Sequence, residues 1–292
     1  MATDNIETLP DPMGLARRQP FSRRFNLFWR TVVARAYPRV IGQQREKSWV
    51  FFEIALPFLI TCSYVFVYKA IGAAPEFIGF VVLGGAMSAF WLNVLWAMSS
   101  QLYWEKQQGN LALYIAAPNS MMAILLGMAL GGMLATSLRA IVIVITGSLL
   151  FGVTYEISSL LPTLAVFLLT MVALYGLGML FASVFLLFGR EAWHTSNLLQ
   201  EPVYLVSGFY FPIKNLPVWV AAIGALIPVT LGLDAMRQLL FTGGAATGFL
   251  PVSTEIAILA VLSIVFVGAA KWALDYLEML ARREGRLTER RR

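Results

Sequence analysis

Arg139 stands inside the apolar run Met121–Gly152. A charge at the centre of a bilayer costs at least about 2.5–3.5 kcal/mol on insertion scales, so it needs a counter-charge, a cavity or a way to the surface. Glu53 and Glu201 are the nearest carboxylates by type, and the sequence does not choose between them. Two chemistries fit. One is a structural salt bridge or a snorkelling side chain; the other is an anion contact on a transport path. Glu201 precedes Pro202, which joins a carboxylate to a kink, and Tyr204 follows. Arg139, Glu53, Glu201 and Tyr204 are therefore the candidate substrate-path residues. Asp234 and Arg237, three apart, could pair on one helix face.

The second concentration of polar chemistry is Tyr103–Pro118, YWEKQQGNLALYIAAP, set between the apolar runs Phe77–Met98 and Met121–Gly152. A short turn would suffice to join two spans. A charged, amphipathic, helix-like segment closed by proline points instead to a docking surface. No catalytic constellation accompanies it. The chain has one histidine, His194, and one cysteine, Cys62, which exclude a Cys/His metal cluster and an internal disulfide. No glycine is followed directly by lysine, so the chain has no P-loop. The expectation is a non-enzyme with no catalytic residue, no metal site, no cofactor of its own and no nucleic-acid partner.

Bulk composition says what must position these groups. Of 292 residues 59% are hydrophobic and 13% charged, with mean hydropathy +0.72. Soluble domains carry about 25% charged residues, so most of this chain must face lipid. Apolar runs cover Val50–Ala70, Phe77–Met98, Met121–Gly152, Leu160–Phe188, Asn197–Pro212 and Val252–Leu274. A seventh run, Leu216–Leu233, is interrupted by Pro217 and Pro228. Residues 1–49 hold nine Lys/Arg and residues 271–292 hold seven. The positive-inside rule puts both ends in the cytosol, which requires an even number of crossings. The reading is six crossings, with Leu216–Leu233 as an outer re-entrant hairpin; the alternative is a seventh span.

Arg23–Lys47 is basic, with Phe25, Phe28, Trp29, Val32 and Val33 at the spacing of one helical face and Arg30 among the residues off it. Such a helix lies in the membrane interface and binds anionic headgroups. The chain then divides into a disordered cytosolic tail (1–20), an amphipathic interfacial helix (21–47), a six-helix transmembrane domain (48–275) and a basic cytosolic tail (276–292). The fold class is an all-α integral membrane protein, multi-pass, in the cell's inner (plasma) membrane.

The residues Trp104-Glu105-Lys106-Gln107-Gln108-Gly109-Asn110-Leu111 with Ala116-Ala117-Pro118 resemble the E-R-E-x-G-T-L-E…A-x-P pattern of ABC-2 type exporter permeases. Phe211-Pro212-Ile213-Lys214-Asn215-Leu216-Pro217, Ile227-Pro228 and Asp234-Ala235-Met236-Arg237 resemble the same family's outer region after span 5. Asn110 replaces the common Thr, and Ala112 stands where Glu is frequent. The resemblance implies a permease subunit, working as two copies in a homodimer beside two P-loop ATPase subunits that bind ATP and Mg. It implies a cytosolic coupling helix between spans 2 and 3, with Glu105, Lys106, Gly109, Leu111, Leu113 and Tyr114 as ATPase-contacting residues. The expected cargo is amphiphilic: a drug, a lipid or a lipid-linked glycan. The alternative is a self-sufficient secondary transporter or channel, which would move cargo on an ion gradient alone.

Overall fold

The computed structural model describes residues 21–116, 120–156, 159–188 and 192–284, all of them helix or connecting turn. The expected tail at 1–20, the residues after 284 and the pair Ala117-Pro118 lie outside the described residues. Helix α1 (Phe21–Arg45) leads into α2 (Lys47–Ala70). Helix α3 (Pro75–Leu92) passes into a π-helical turn (Asn93–Met98) and then α4 (Gln101–Gln107). After α5 (Asn110–Ala116) come the long helices α6 (Met121–Phe151) and α7 (Leu160–Phe188). Helix α8 (Ala192–Val206) and a 3-10 turn (Ile213–Asn215) precede α9 (Val218–Gly224) and α10 (Pro228–Leu240). The short α11 (Gly244–Thr247) and the long α12 (Val252–Glu284) follow.

Among the described residues five stretches are long and apolar enough to cross a membrane: Val50–Ala70, Pro75–Gln107, Met121–Phe151, Leu160–Leu186 and Val252–Leu280. A sixth unit is reached when α9 and α10, bent by 106° at the break between them, are taken together. That bend falls within the proline-interrupted run Leu216–Leu233, at Ala225–Ile227 just before Pro228.

The expected fifth crossing, Asn197–Pro212, is not one helix. Helix α8 has 15 residues, about 22 Å of rise against a hydrocarbon core of about 30 Å. It stops because Gly208 turns to φ +65° and because Arg237 captures the carbonyls beyond it. The Arg237 guanidinium donates to Gly208 O at 2.7 Å, Phe209 O at 2.7 Å, Phe211 O at 3.2 Å and, on α3, Phe80 O at 2.9 Å. Carbonyls that could have continued a helix are held by a side chain from α10. The expected Asp234–Arg237 pairing gives way to this: Asp234 Oδ2 accepts from the Phe249 amide at 2.8 Å and from Gln238 Nε2 at 3.1 Å.

Helix α3 is the centre of the bundle. Its apolar stretch is 89% buried, against 17% for α2 and 22% for α12. Phe80, Met87, Phe90, Trp91, Val94 and Leu95 carry the core against α6, α7 and α10. Helices α2 and α12 present their leucines, isoleucines and aromatics outward, as a chain dissolved in lipid allows.

Candidate functional site

The polar segment between two long spans is built as a hairpin of two short helices, not one. The α3 helix loosens at Asn93–Met98, where the Ser99 amide reaches Val94 O, five residues back, at 3.0 Å. Ser99 and Ser100 turn their hydroxyls onto Leu95 O and Trp96 O. Helix α4 follows, and Gly109 ends it: its amide bonds Lys106 O at 3.0 Å while its own φ is +82°. That left-handed backbone favours glycine. It folds α5 back against α4.

Glu105 sits inside this hairpin. Its carboxylate accepts from Gln101 Nε2 at 3.1 Å, Asn110 Nδ2 at 2.9 Å and Tyr114 OH at 2.7 Å. Gln101 Oε1 in turn accepts from Arg39 Nη1 of α1. Arg35, one turn earlier on α1, lays its guanidinium 4.2 Å above the Tyr114 ring. Arg39, Gln101, Glu105, Tyr114 and Arg35 therefore close a ring that ties α1 to both arms of the hairpin. On the other side Leu102 and Leu111 are buried against Leu186 of α7 and Leu274 and Leu277 of α12.

The expected site residues thus divide by direction. Glu105 and Leu111 face inward, Gly109 makes the turn, and Lys106 and Tyr114 are half-buried. Leu113 points out, 67% exposed, and Trp104, not among the expected contact residues, is exposed, as are Gln107 and Gln108.

Helix α1 is docked along α6. Val32 and Arg35 lie against Gly127, Ala36 and Arg39 against Gly131. Side chains at either glycine would meet the α1 backbone, a Cβ lying 2.5 Å from Val32 O and 2.8 Å from Ala36 O. The expected single apolar face of α1 is therefore two. Val32 is buried at α6, while Phe25, Trp29, Val33, Tyr37 and Ile41 form an exposed stripe at intervals of four. Phe28 is half-buried and Arg30 exposed. Gly127→Val is expected to destabilise the chain by about 1–3 kcal/mol and to make α1 more open to trypsin at Arg23, Arg24 and Arg30. Limited proteolysis together with thermal melting checks this, and an unaltered cleavage pattern would count against the docking.

Arg139 forms an ion pair with Glu53 of α2. Glu201 is exposed and takes a bond from its neighbour Gln200 at 3.2 Å. Tyr204 joins a column of parallel rings, 6.2 Å from Tyr210, which stacks on Tyr64 of α2 at 4.2 Å. Arg237 was missed as a structural centre. The one available signal was a cation in an apolar, proline-broken stretch.

Among the described residues no group of three or more His, Cys, Asp or Glu is placed to hold a metal ion. Long apolar helices around a buried central one, with an ordered polar hairpin between two of them, define a multi-pass helical membrane protein. The chain belongs to the ABC-2 type transporter family, which matches residues 27–241. It is similar to the probable multidrug ABC transporter permease YbhR of Escherichia coli K12, and to that of strain O157:H7, at 24% identity over 152 residues. The match covers 51% of this chain and 40% of each relative. The chain spans about two fifths of the length of the curated relatives it matches.

Proposed function

We propose that this chain is the permease subunit of an ATP-driven exporter, coupled to separate P-loop ATPase subunits through the α4–α5 hairpin. The observation that carries the reading is the hairpin itself: exposed Leu113 and Trp104 on a support fixed to α1, α7 and α12. A short rigid lever between two spans converts a push from a partner into helix displacement. Family membership supports ATP as the energy source. In this reading the hairpin and both termini face the cytosol, in keeping with the basic residues at each end. Two copies form the translocation path, their contact made by the poorly buried α2. The exposed stripe of α1 rests in the membrane interface. The relatives' name supports an amphiphilic, drug-like cargo.

Leu113→Asp is expected to abolish co-purification with the partner ATPase, or to weaken it more than tenfold, while leaving the thermal stability of the permease unchanged. Leu113 is exposed, so the substitution disturbs no internal packing. Undiminished binding would overturn the assignment of this surface. Ion-gradient-driven flux by the purified chain alone would overturn the ATP-driven reading.

A further inference from the structure

Two cavities follow one another along α3, in the half of the bundle farther from the hairpin. The lower one, about 450 Å³, is walled by Leu83, Met87 and Phe90 of α3, Ala140 of α6, Phe167 of α7 and Met236 of α10. Small-molecule sites occupy about 300–1,000 Å³. The polar residues lining it, Ser137 and Thr163, donate to their own helices, to Met133 O at 2.8 Å and Ser159 O at 2.7 Å. They offer a ligand nothing polar. The cavity opens between α6 and α7, where Ile141, Ile145, Leu160 and Leu164 are exposed. All four belong to stretches apolar enough to span, so the medium at the mouth is lipid hydrocarbon.

The upper cavity, about 160 Å³, lies between Pro75 and Glu76 of α3, Phe151 and Gly152 at the end of α6, and Phe241 and Thr242 after α10. Glu76 is half-buried. Among the described residues no group pairs its charge or donates a hydrogen bond to it. Lys69 of α2 stands at the Phe151 wall, its Nζ 5.2 Å from the centre of that ring. Glu76 is seven residues before Leu83, two helical turns, so both point the same way from α3, about 10 Å apart along its axis. Phe241 lies over Gly79 between them, where a Cβ would meet its ring at 2.2 Å, and floors the upper cavity.

We propose that these two cavities bind one phospholipid with an amine headgroup, of the phosphatidylethanolamine class. Its ammonium lies on Glu76, its phosphate toward Lys69, and one acyl chain fills the apolar cavity. Charge selects this occupant. Glu76 and Lys69 are opposite and not paired with each other, as are the ammonium and phosphate of such a headgroup. A simple cation would leave Lys69 unanswered, and an anionic lipid would leave Glu76 so. The site stands independently of the ATP-driven reading, because its binding is measured on the permease alone.

The test is thermal melting of the purified, delipidated full chain at constant detergent, titrated with phosphatidylethanolamine or phosphatidylglycerol of identical acyl chains. Wild type is expected to show a saturable rise in Tm, with the midpoint for phosphatidylethanolamine about tenfold lower, the size of one charge-assisted hydrogen bond. Glu76→Gln is expected to bring the two midpoints together while leaving the lipid-free Tm unchanged. Ala140→Trp is expected to fill the apolar cavity and abolish the rise with both lipids; if it does not fold, Ile141→Trp at the mouth takes its place. Equal midpoints in wild type, a preference that survives Glu76→Gln, or an undiminished rise in the tryptophan variant overturns the proposal. So does a rise with tetraphenylphosphonium and none with phosphatidylethanolamine, which would make this a cargo site. A disulfide-linked dimer of Ile145→Cys in a Cys62→Ala background also overturns it, since a second copy would then cover the mouth.

Discussion

Arg237→Met is expected to lower the stability of the chain by about 4 kcal/mol or more, enough to prevent recovery of monodisperse protein from membranes. The residue is fully buried and its guanidinium serves four backbone carbonyls on two separate segments. Methionine fills similar space but leaves Gly208, Phe209 and Phe211 without the donor that holds their turn. Hydrogen bonds from a charged donor contribute about 1.5–3 kcal/mol each, and a total stability of about 5–15 kcal/mol does not absorb several such losses. Arg237→Lys should be intermediate, since one ammonium cannot reach both Phe80 O and the Gly208–Phe211 turn with the same geometry. Detergent-solubilised melting of the three forms checks the order. A methionine variant that melts with the wild type would refute the central role given to this side chain.

Glu105→Ala is expected to cut transport coupled to ATP hydrolysis at least tenfold while the chain still folds. The carboxylate is the point where Gln101, Asn110 and Tyr114 meet. Without it the hairpin loses two bonds between its arms, to Asn110 and Tyr114, and one within α4, to Gln101, of about 1 kcal/mol or more each. Leu102 and Leu111 still hold the hairpin to α7 and α12, so the damage is to stiffness rather than to folding. A push on Leu113 would then be absorbed by the hairpin instead of reaching α1. Glu105→Gln keeps an acceptor oxygen and should retain more coupling than alanine. The measurement is cargo moved per ATP hydrolysed in the reconstituted complex, and an unchanged ratio in Glu105→Ala would refute the lever.

These two residues also mark where the sequence was legible and where it was not. Long apolar runs declare themselves by length and composition, so the five long helices and the polar segment after Met98 could be read directly. The basic helix before α2 was equally plain, because its periodicity is local. Glu105 was identified, but its direction was not: a carboxylate in a polar segment looks the same whether it faces a partner or its own chain. Its inward turn depends on the reversal at Gly109, which brings Asn110 and Tyr114 within reach. Arg237 was harder still. Its acceptors are backbone carbonyls, one of them 157 residues away, and carbonyls leave no mark in side-chain identity. The fifth apolar run failed as a single helix for that same reason. Gly127 and Gly131 stand four apart, a spacing that allows close helix packing, yet nothing in that spacing says that a helix outside the long apolar set fills the groove.

The π turn at Asn93–Met98 has a consequence for how α3 and α4 rotate together. Each residue of an α-helix advances the side-chain direction by about 100°, and a π segment accommodates one residue more than an α segment of the same span. The phase of the helix wheel is therefore offset between Trp91 and Leu102. On an unbroken α-helix Trp91 and Glu105, fourteen residues apart, would lie within about 40° of each other; the offset points Glu105 in a different direction from Trp91, and both are buried. Winding the π turn into regular α geometry would twist α4 about its own axis without pulling α3 out of the core. Rotation of the hairpin and translation of the span are thus separable motions in this chain.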